Sequence, residues 1–390
     1  GGFSAVSRET AKLISVFRGE VSMLPPHRPE IENLRPFLPG LPDKTIPELQ
    51  EILGREKIIK LSFNENPLGP SPLARRAVRE AAARMNLYHD PISTRLRSAL
   101  AEQNRVDPEE IIVGNGADDV VSIIAQAFFQ PGDEVVIPDP TFGSYRSSAL
   151  LMGAAPVLVN LKDFAIDALA LLDALSPRSK AIFLCHPNNP TGTYLPTEDL
   201  QQFLKALPEH VLAIVDEAYV DYATAPDYTS ALPLRSLHQA LLVVRTFSKI
   251  HGLAAARVGY AIGPRDIIEL MSRVRLPFNL NYLGQSAALA ALGDLAHQEK
   301  GRRINEEGKA ILYRGLKELG LRFWPTQSNF IWVYTGQDSW ELTLKMAQKG
   351  IIVRPGATFR RPEYLRLSIG LPGQNRLLLK ALENVLARRV

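Results

Sequence analysis

The sequence predicts an α/β architecture: a mostly parallel sheet covered by helices on both faces, followed by a smaller α+β unit. Three observations carry this expectation. From Glu109 to Val244, short continuous apolar runs alternate with segments of helical period, the pattern of strands buried on both faces. Four of those runs end in polar clusters, and ligands of open α/β sheets bind beyond the carboxyl ends of the strands. From Phe323 onward, strand-like and helix-like segments mix without that regular alternation.

The elements follow in order. Residues 7–19 read as a short amphipathic helix with Leu13, Ile14 and Phe17 on one face, Ser7 as N-cap and Gly19 as stop. They lack the pattern of a signal peptide. Residues 24–29 are a proline-broken linker, and residues 35–40 are extended. A strand at 58–62 runs into Asn64-Glu-Asn-Pro-Leu-Gly-Pro70, where glycine and proline force a loop. Helices at 71–85 and 94–104 flank the loop Tyr88-His-Asp-Pro91. Strands are expected at 111–113, 135–137, 156–159, 181–185, 212–215 and 241–244, with a further one at 257–263. Helices are expected at 117–129, where Val120, Val121, Ile124 and Phe128 share a face, and at 145–151, 166–175 and 200–207. After the loop at 276–281, residues 285–319 read as a long helical region. Strands at 330–334, 351–353 and 365–369 and helices at 340–349 and 375–389 complete the chain.

The chain's 390 residues suffice for one large domain and a smaller one. Forty-five Lys and Arg against 41 Asp and Glu leave a net charge of +4 without long basic runs. That pattern excludes a nucleic-acid binder and suits small anionic ligands. The one cysteine, Cys185, lies in an apolar run and reads as core. It excludes an intramolecular disulfide or a cysteine zinc cluster and fits a reducing compartment, so no metal and a cytoplasmic location are expected. No apolar run approaches a membrane span.

Four strand ends carry the chemistry. The run 241–244 leads to Thr246, Ser248 and Lys249, with Arg257 eight residues further on. A desolvated lysine near other cations has a lowered pKa and attacks carbonyl carbon; the alternative is a surface lysine in a loop. Gly116-Ala117-Asp118 opens a helix whose backbone N–H groups form an anion site, with Asp118 read as the cap. Asp216 closes another strand. A buried carboxylate needs a cation or strong donors, and a protonated ring nitrogen would serve; the alternative is a helix N-cap. Asn189 stands in the proline-stiffened turn 186–192, which fixes its amide.

Together these residues resemble the class I/II aminotransferases, pyridoxal-phosphate enzymes of the aspartate-aminotransferase fold (fold type I). The resemblance covers the chain from about Leu34 onward. It is carried by Asn188-Asn-Pro-Thr-Gly192, by Asp216-Glu-Ala-Tyr219 and by Ser248-Lys249 with Arg257. Within that family the chain is similar to the histidinol-phosphate branch, on Leu34-Arg-Pro-Phe-Leu-Pro-Gly40, Asn64-Glu-Asn-Pro67, Tyr88-His-Asp-Pro91, Pro277-Phe-Asn-Leu-Asn281, Val353-Arg-Pro355 and Tyr364-Leu-Arg-Leu-Ser-Ile-Gly370.

The resemblance implies roles for individual residues. Lys249 would carry pyridoxal 5'-phosphate covalently, and Asp216 would keep its ring nitrogen protonated. Asn189 and Tyr219 would bond the ring's phenolic oxygen, and Phe142, where the family often has tyrosine, would stack on the ring. Ala117, Asp118, Thr246, Ser248 and Arg257 would hold the phosphate. Tyr88 would reach the phosphate of the other subunit, making a homodimer with shared sites. Arg366 would pair with the substrate carboxylate or phosphate, and Asn66, Asn329 and Arg354 would face the substrate.

The implied reaction is ping-pong transfer of an amino group to 2-oxoglutarate, most naturally from histidinol phosphate in histidine biosynthesis. An aromatic amino donor, a decarboxylase of the same fold and a non-catalytic docking module are the alternatives. The implied division is an extension at 1–30, a segment at 31–70 packing on the small domain, a large domain at 71–290 and a small one at 291–390. The first thirty residues have no counterpart in the family pattern, and residues 356–362 are more basic than the family's. Arg360 and Arg361 within them read as solvated loop charges.

Overall fold

The structure, a computed structural model, describes residues 27–386 except 35, 37 and 38. The expected helix at 7–19 lies outside the described residues, as do half of the linker at 24–29, part of the extended stretch at 35–40 and the end of the last helix.

Seven strands form the larger sheet: β2 (Ile111–Gly114), β3 (Glu134–Asp139), β4 (Ala155–Asn160), β5 (Ser179–Cys185), β6 (Leu212–Asp216), β7 (Leu241–Thr246) and β8 (Gly259–Ile262). Their order is β2-β8-β7-β6-β5-β3-β4. Only β8 runs against the rest. The continuous apolar runs are explained by burial on both sides. Phe183 and Ile214 face one cluster with Val121 and Ile124 of the helix Ala117–Phe128, while Ile182 and Val215 face another with Leu200 and Phe203 of the helix Thr197–Ala206.

A second sheet has the order β1-β11-β12-β10-β9, from β1 (Ile59–Leu61), β9 (Arg322–Trp324), β10 (Phe330–Tyr334), β11 (Ile351–Pro355) and β12 (Tyr364–Ser368). Here β1 pairs in parallel with β11, so a segment near the start of the chain completes a sheet otherwise built from its end. The two sheets are tied together beside the carboxyl ends of the parallel strands. Gln327 accepts from the Thr224 and Ala225 amides at 2.7 and 3.0 Å and donates its own amide to the Gly192 carbonyl at 2.8 Å. Phe164 lies 4.7 Å from the ring of Trp324, whose indole N–H donates to the Asp163 carbonyl at 2.9 Å.

Several elements differ from the sequence expectation. A helix at Ile46–Leu53 was not expected, although Thr45 and Glu48 form a capping box and Gly54 ends it in the left-handed conformation. The helix Arg265–Val274 and strand β9 were likewise not expected. The region 285–319 is two helices, Tyr282–Leu292 and Leu295–Glu318, because Asp294 caps the second by accepting from the His297 amide. Arg257 was placed in a strand, but its backbone is left-handed (φ 54) and pairing starts at Gly259. A Cβ at Gly259 would lie 2.3 Å from the Ala117 nitrogen, so only glycine lets the strand approach that helix start. Among the described residues no helix is long and apolar enough to cross a membrane.

Candidate active site

Because β2, β5, β6 and β7 run the same way, their polar carboxyl ends share one rim. The His186 amide donates to the Asp216 carbonyl and the Glu217 amide to the Val244 carbonyl, both at 2.8 Å, which locks three of those ends together.

Lys249 is half-buried. Its Nζ donates to the Phe63 carbonyl at 3.2 Å and lies 5.5 Å from the centre of the Tyr219 ring. Burial lowers its pKa to about 8, helped by the positive charges of Arg366 and Arg257 and opposed by Glu65 and Asp118. A neutral, nucleophilic amine is therefore within reach near neutral pH.

Asp216 is 3 % exposed. Its carboxylate accepts from the Tyr145 hydroxyl at 2.7 Å and the Ala218 amide at 3.0 Å. Burial raises its pKa to about 6 despite those two donors and the charge of Lys249. Among the described residues no cation is bonded to the carboxylate, and a protonated ring nitrogen is the group that would supply one. Tyr145 in turn stacks on Phe183 at 4.4 Å and meets Phe142 edge-on at 5.6 Å. The sequence reading placed Tyr145 only as a helix residue. Its spacing of three from Phe142 was the available signal.

The helix Ala117–Phe128 starts at Gly116 (φ 92) without a side-chain cap. This corrects the reading of Asp118 as the cap. Asp118 instead accepts from the Ser144 hydroxyl at 2.7 Å and pairs with Arg257 at 3.4 Å, while Asp119 holds the Asn115 amide. The uncapped N–H groups stay available to an anion. Against two carboxylates only the backbone of 117–119 can serve it. A Cβ at Gly116 would lie 2.4 Å from Arg257 Nη2, so the guanidinium sits directly over the helix start. Thr246 and Ser248 are joined hydroxyl to hydroxyl at 3.0 Å. A cradle of amides, two hydroxyls and an arginine fits a phosphate.

Asn189 accepts from Arg366 Nη1 at 2.6 Å, which leaves its amino group to donate elsewhere. The Tyr219 hydroxyl accepts from Asn64 at 3.0 Å, and burial pushes its pKa up, so it remains a phenol and a donor. Asn64, left-handed at φ 58, also exchanges bonds with the Ser368 hydroxyl. Neither Asn64 nor Ser368 was singled out as a site residue. Asn329 donates to the Asn64 carbonyl at 2.8 Å. Asn66 donates to the Ile250 carbonyl, next to Lys249, and accepts from the Leu68 amide, so its amide ties its own loop to the turn that carries the lysine.

Arg366 is 4 % exposed. It donates to the Ser62 carbonyl as well as to Asn189, and burial lowers its pKa to about 9, still charged at neutral pH. Arg354 stands opposite it in register on β11 and pairs with Asp43. Both arginines keep a buried Nε–H without a partner among the described residues. Arg360 and Arg361 are loop charges, Arg360 still 54% exposed at its side chain, but both guanidiniums are also bound to Asp139, a pairing the sequence reading did not include. Tyr88 is 87 % exposed beside Phe278, and the structure does not bring it to the rim of its own chain.

The family described as "Aminotransferase class I and II" matches residues 56–382. A histidinol-phosphate aminotransferase of Moorella thermoacetica is 44% identical over 368 residues, 94% of this chain and 95% of that one. One from Bacillus licheniformis is 41% identical, covering 91% of this chain and 99% of that one. Among solved structures, the histidinol-phosphate aminotransferase from Sinorhizobium meliloti in complex with pyridoxal-5'-phosphate superposes with a TM-score of 0.84 at 27% identity, over 95% of this chain and all of that one. With its seven-stranded sheet, its lysine at the mouth of β7 and a match over most of its length, the chain belongs to the class I and II aminotransferases.

Proposed function

We propose that the chain moves the amino group of histidinol phosphate to 2-oxoglutarate, in histidine biosynthesis, as a homodimer loaded with pyridoxal phosphate. The observation that carries the donor is the pair Arg354 and Arg366: cross-strand neighbours, each with an unpartnered buried Nε–H. Two guanidiniums with free donors suit a dianion, since bonds between ionised groups are roughly twice as strong as neutral ones.

When bound, the cofactor supplies an electron sink for the bond breaking at substrate Cα. The protein's residues do the rest. The amides at 117–119 with Thr246, Ser248 and Arg257 hold the phosphate. Asp216 holds a proton on the ring nitrogen, while Asn189 and Tyr219 donate to the ring oxygen and Phe142 covers a face. Lys249 Nζ, with its lowered pKa, takes the proton from substrate Cα as general base. Arg366 serves both substrates in turn. Asn66 and Asn329 shape the loop that faces them.

One observation favours a second reading. Asp43 already neutralises part of Arg354, and a single effective positive charge would suit the carboxylate of an aromatic amino acid. An amino-donor panel with Arg354→Ala separates the two. The loss should be larger with histidinol phosphate than with phenylalanine by about 1.5–3 kcal/mol, the worth of one charged hydrogen-bond set. Equal losses, or no activity on histidinol phosphate, would leave the aromatic reading.

The homodimer rests on Tyr88. It is exposed together with Met85, Leu87 and Leu276, and its ring lies 4.9 Å from Phe278, forming an apolar patch of the kind that marks an interface. Tyr88→Phe should weaken cofactor retention while sedimentation still gives a dimer. A fully active monomer at assay concentration would contradict it.

A further inference from the structure

Asp139 ends β3, three residues before Phe142. Arg360 Nη2 is bound to its Oδ1, and Arg361 Nη2 to its Oδ2 at 3.2 Å. Asp139 belongs to the seven-stranded sheet, and the arginines lie between β11 and β12 of the five-stranded one, so this cluster joins the two.

Each end of the cluster continues into the site. On one side, Asn188 donates to the Pro140 carbonyl at 3.1 Å and accepts from the Thr141 hydroxyl at 2.7 Å, so Asp139 is rigidly joined to the turn that carries Asn189. On the other, Phe359 precedes Arg360. Its ring lies 5.3 Å from the Arg366 guanidinium and meets Trp332 edge-on at 5.9 Å.

The backbone adds an independent observation. The short turn Gly356–Phe359 is ended by Arg360 in the left-handed conformation (φ 61), with its amide on the Ala357 carbonyl. Glycine adopts that conformation freely and arginine does not. An arginine at a position better suited to glycine points to its side chain, whose one polar partner among the described residues is Asp139.

We infer that Asp139, Arg360 and Arg361 form a clasp that holds Phe359 over Arg366 and encloses the anionic end of the substrate. They are positioning residues, acting through Phe359. The inference takes from the proposed function only the place where the substrate's anion binds, not the identity of the donor.

Arg360→Gly is the telling variant, because it removes the guanidinium and suits the turn. Its melting temperature should equal or exceed that of the parent. With whichever donor a panel shows to be most active, KM for donor and for 2-oxo acid should rise together by about 3- to 5-fold, with kcat within about 2-fold, as for loss of a partly exposed ion pair. Asp139→Asn releases both arginines and should raise both KM values about 10-fold, and Arg360→Lys should recover part of the loss. In the holoenzyme of either loss variant, amide hydrogen exchange at residues 357–361 should be faster than in the parent. Wild-type KM values in both loss variants would overturn the inference, whether or not exchange changes. If no donor is turned over, the proposed function fails by itself and exchange alone decides: an Arg360→Gly holoenzyme exchanging at the parent rate overturns the clasp.

Discussion

Lys249→Ala should lower turnover at least about 10⁴-fold and leave a folded protein. The side chain has one hydrogen bond to the protein, to the Phe63 carbonyl, and no ion pair among the described residues. Its charge is desolvated and faces Arg366, so the fold gains little from it. Loss of activity and retention of stability should therefore separate cleanly in parallel kinetic and melting measurements. Borohydride reduction of the parent, followed by peptide mass mapping, should place pyridoxal phosphate on Lys249. An adduct on a different lysine would remove the basis of the whole site.

Replacing Asp216 should have the next largest effect. With alanine, a buried cationic ring nitrogen would face no counter-charge, and the loss should be about 10²–10⁴-fold in kcat/KM. Asp216→Asn keeps an acceptor for the Tyr145 hydroxyl, so it tests the charge without disturbing the packing. The same carboxylate sets a pH dependence. In the cofactor-free protein its pKa is raised to about 6, so it is protonated below that pH and ionised above. Pairing with a protonated ring needs the ionised form. Cofactor affinity should therefore be full above pH 6 and fall as pH drops below it. Lys249, lowered to about 8, must lose its proton to condense with the cofactor, so the rate of reconstitution should rise with pH up to about 8 and then level off. Titration of cofactor binding and stopped-flow reconstitution across pH 5–9 read the two separately. A profile flat through both ranges would contradict the environments assigned to these groups.

The candidate site residues that the structure gathers on one rim were legible in the sequence because they stand at the polar ends of apolar strands. Lys249, Asp216, Asn189 and Arg257 follow continuous apolar runs such as 181–185 and 241–244, and those runs are legible because strands covered on both faces cannot alternate. The groups that neutralise or orient them were not. Tyr145 lies 71 residues from Asp216, Asn64 lies 155 from Tyr219, and Asp43 lies 311 from Arg354. Such partners are chosen by tertiary packing, and nothing in the local pattern of either residue announces the other. The same holds for β1, whose partner β11 is formed nearly three hundred residues later. The partner of Arg360 and Arg361 was missed for this reason: a basic pair in a loop gives no sign that the opposite sheet supplies Asp139. The helix Arg265–Val274 was legible and overlooked, since Ile267, Ile268, Met271 and Val274 recur at helical spacing and pack on the main core.

The most direct test of the account is a half-reaction. Holoenzyme mixed with histidinol phosphate and no 2-oxo acid should convert one equivalent of donor per Lys249 to the keto product and stop. Adding 2-oxoglutarate should then restart the reaction. A pocket that leaves histidinol phosphate untouched while converting phenylalanine, or one that evolves carbon dioxide from a phosphorylated amino acid without needing an acceptor, would contradict the proposed reaction.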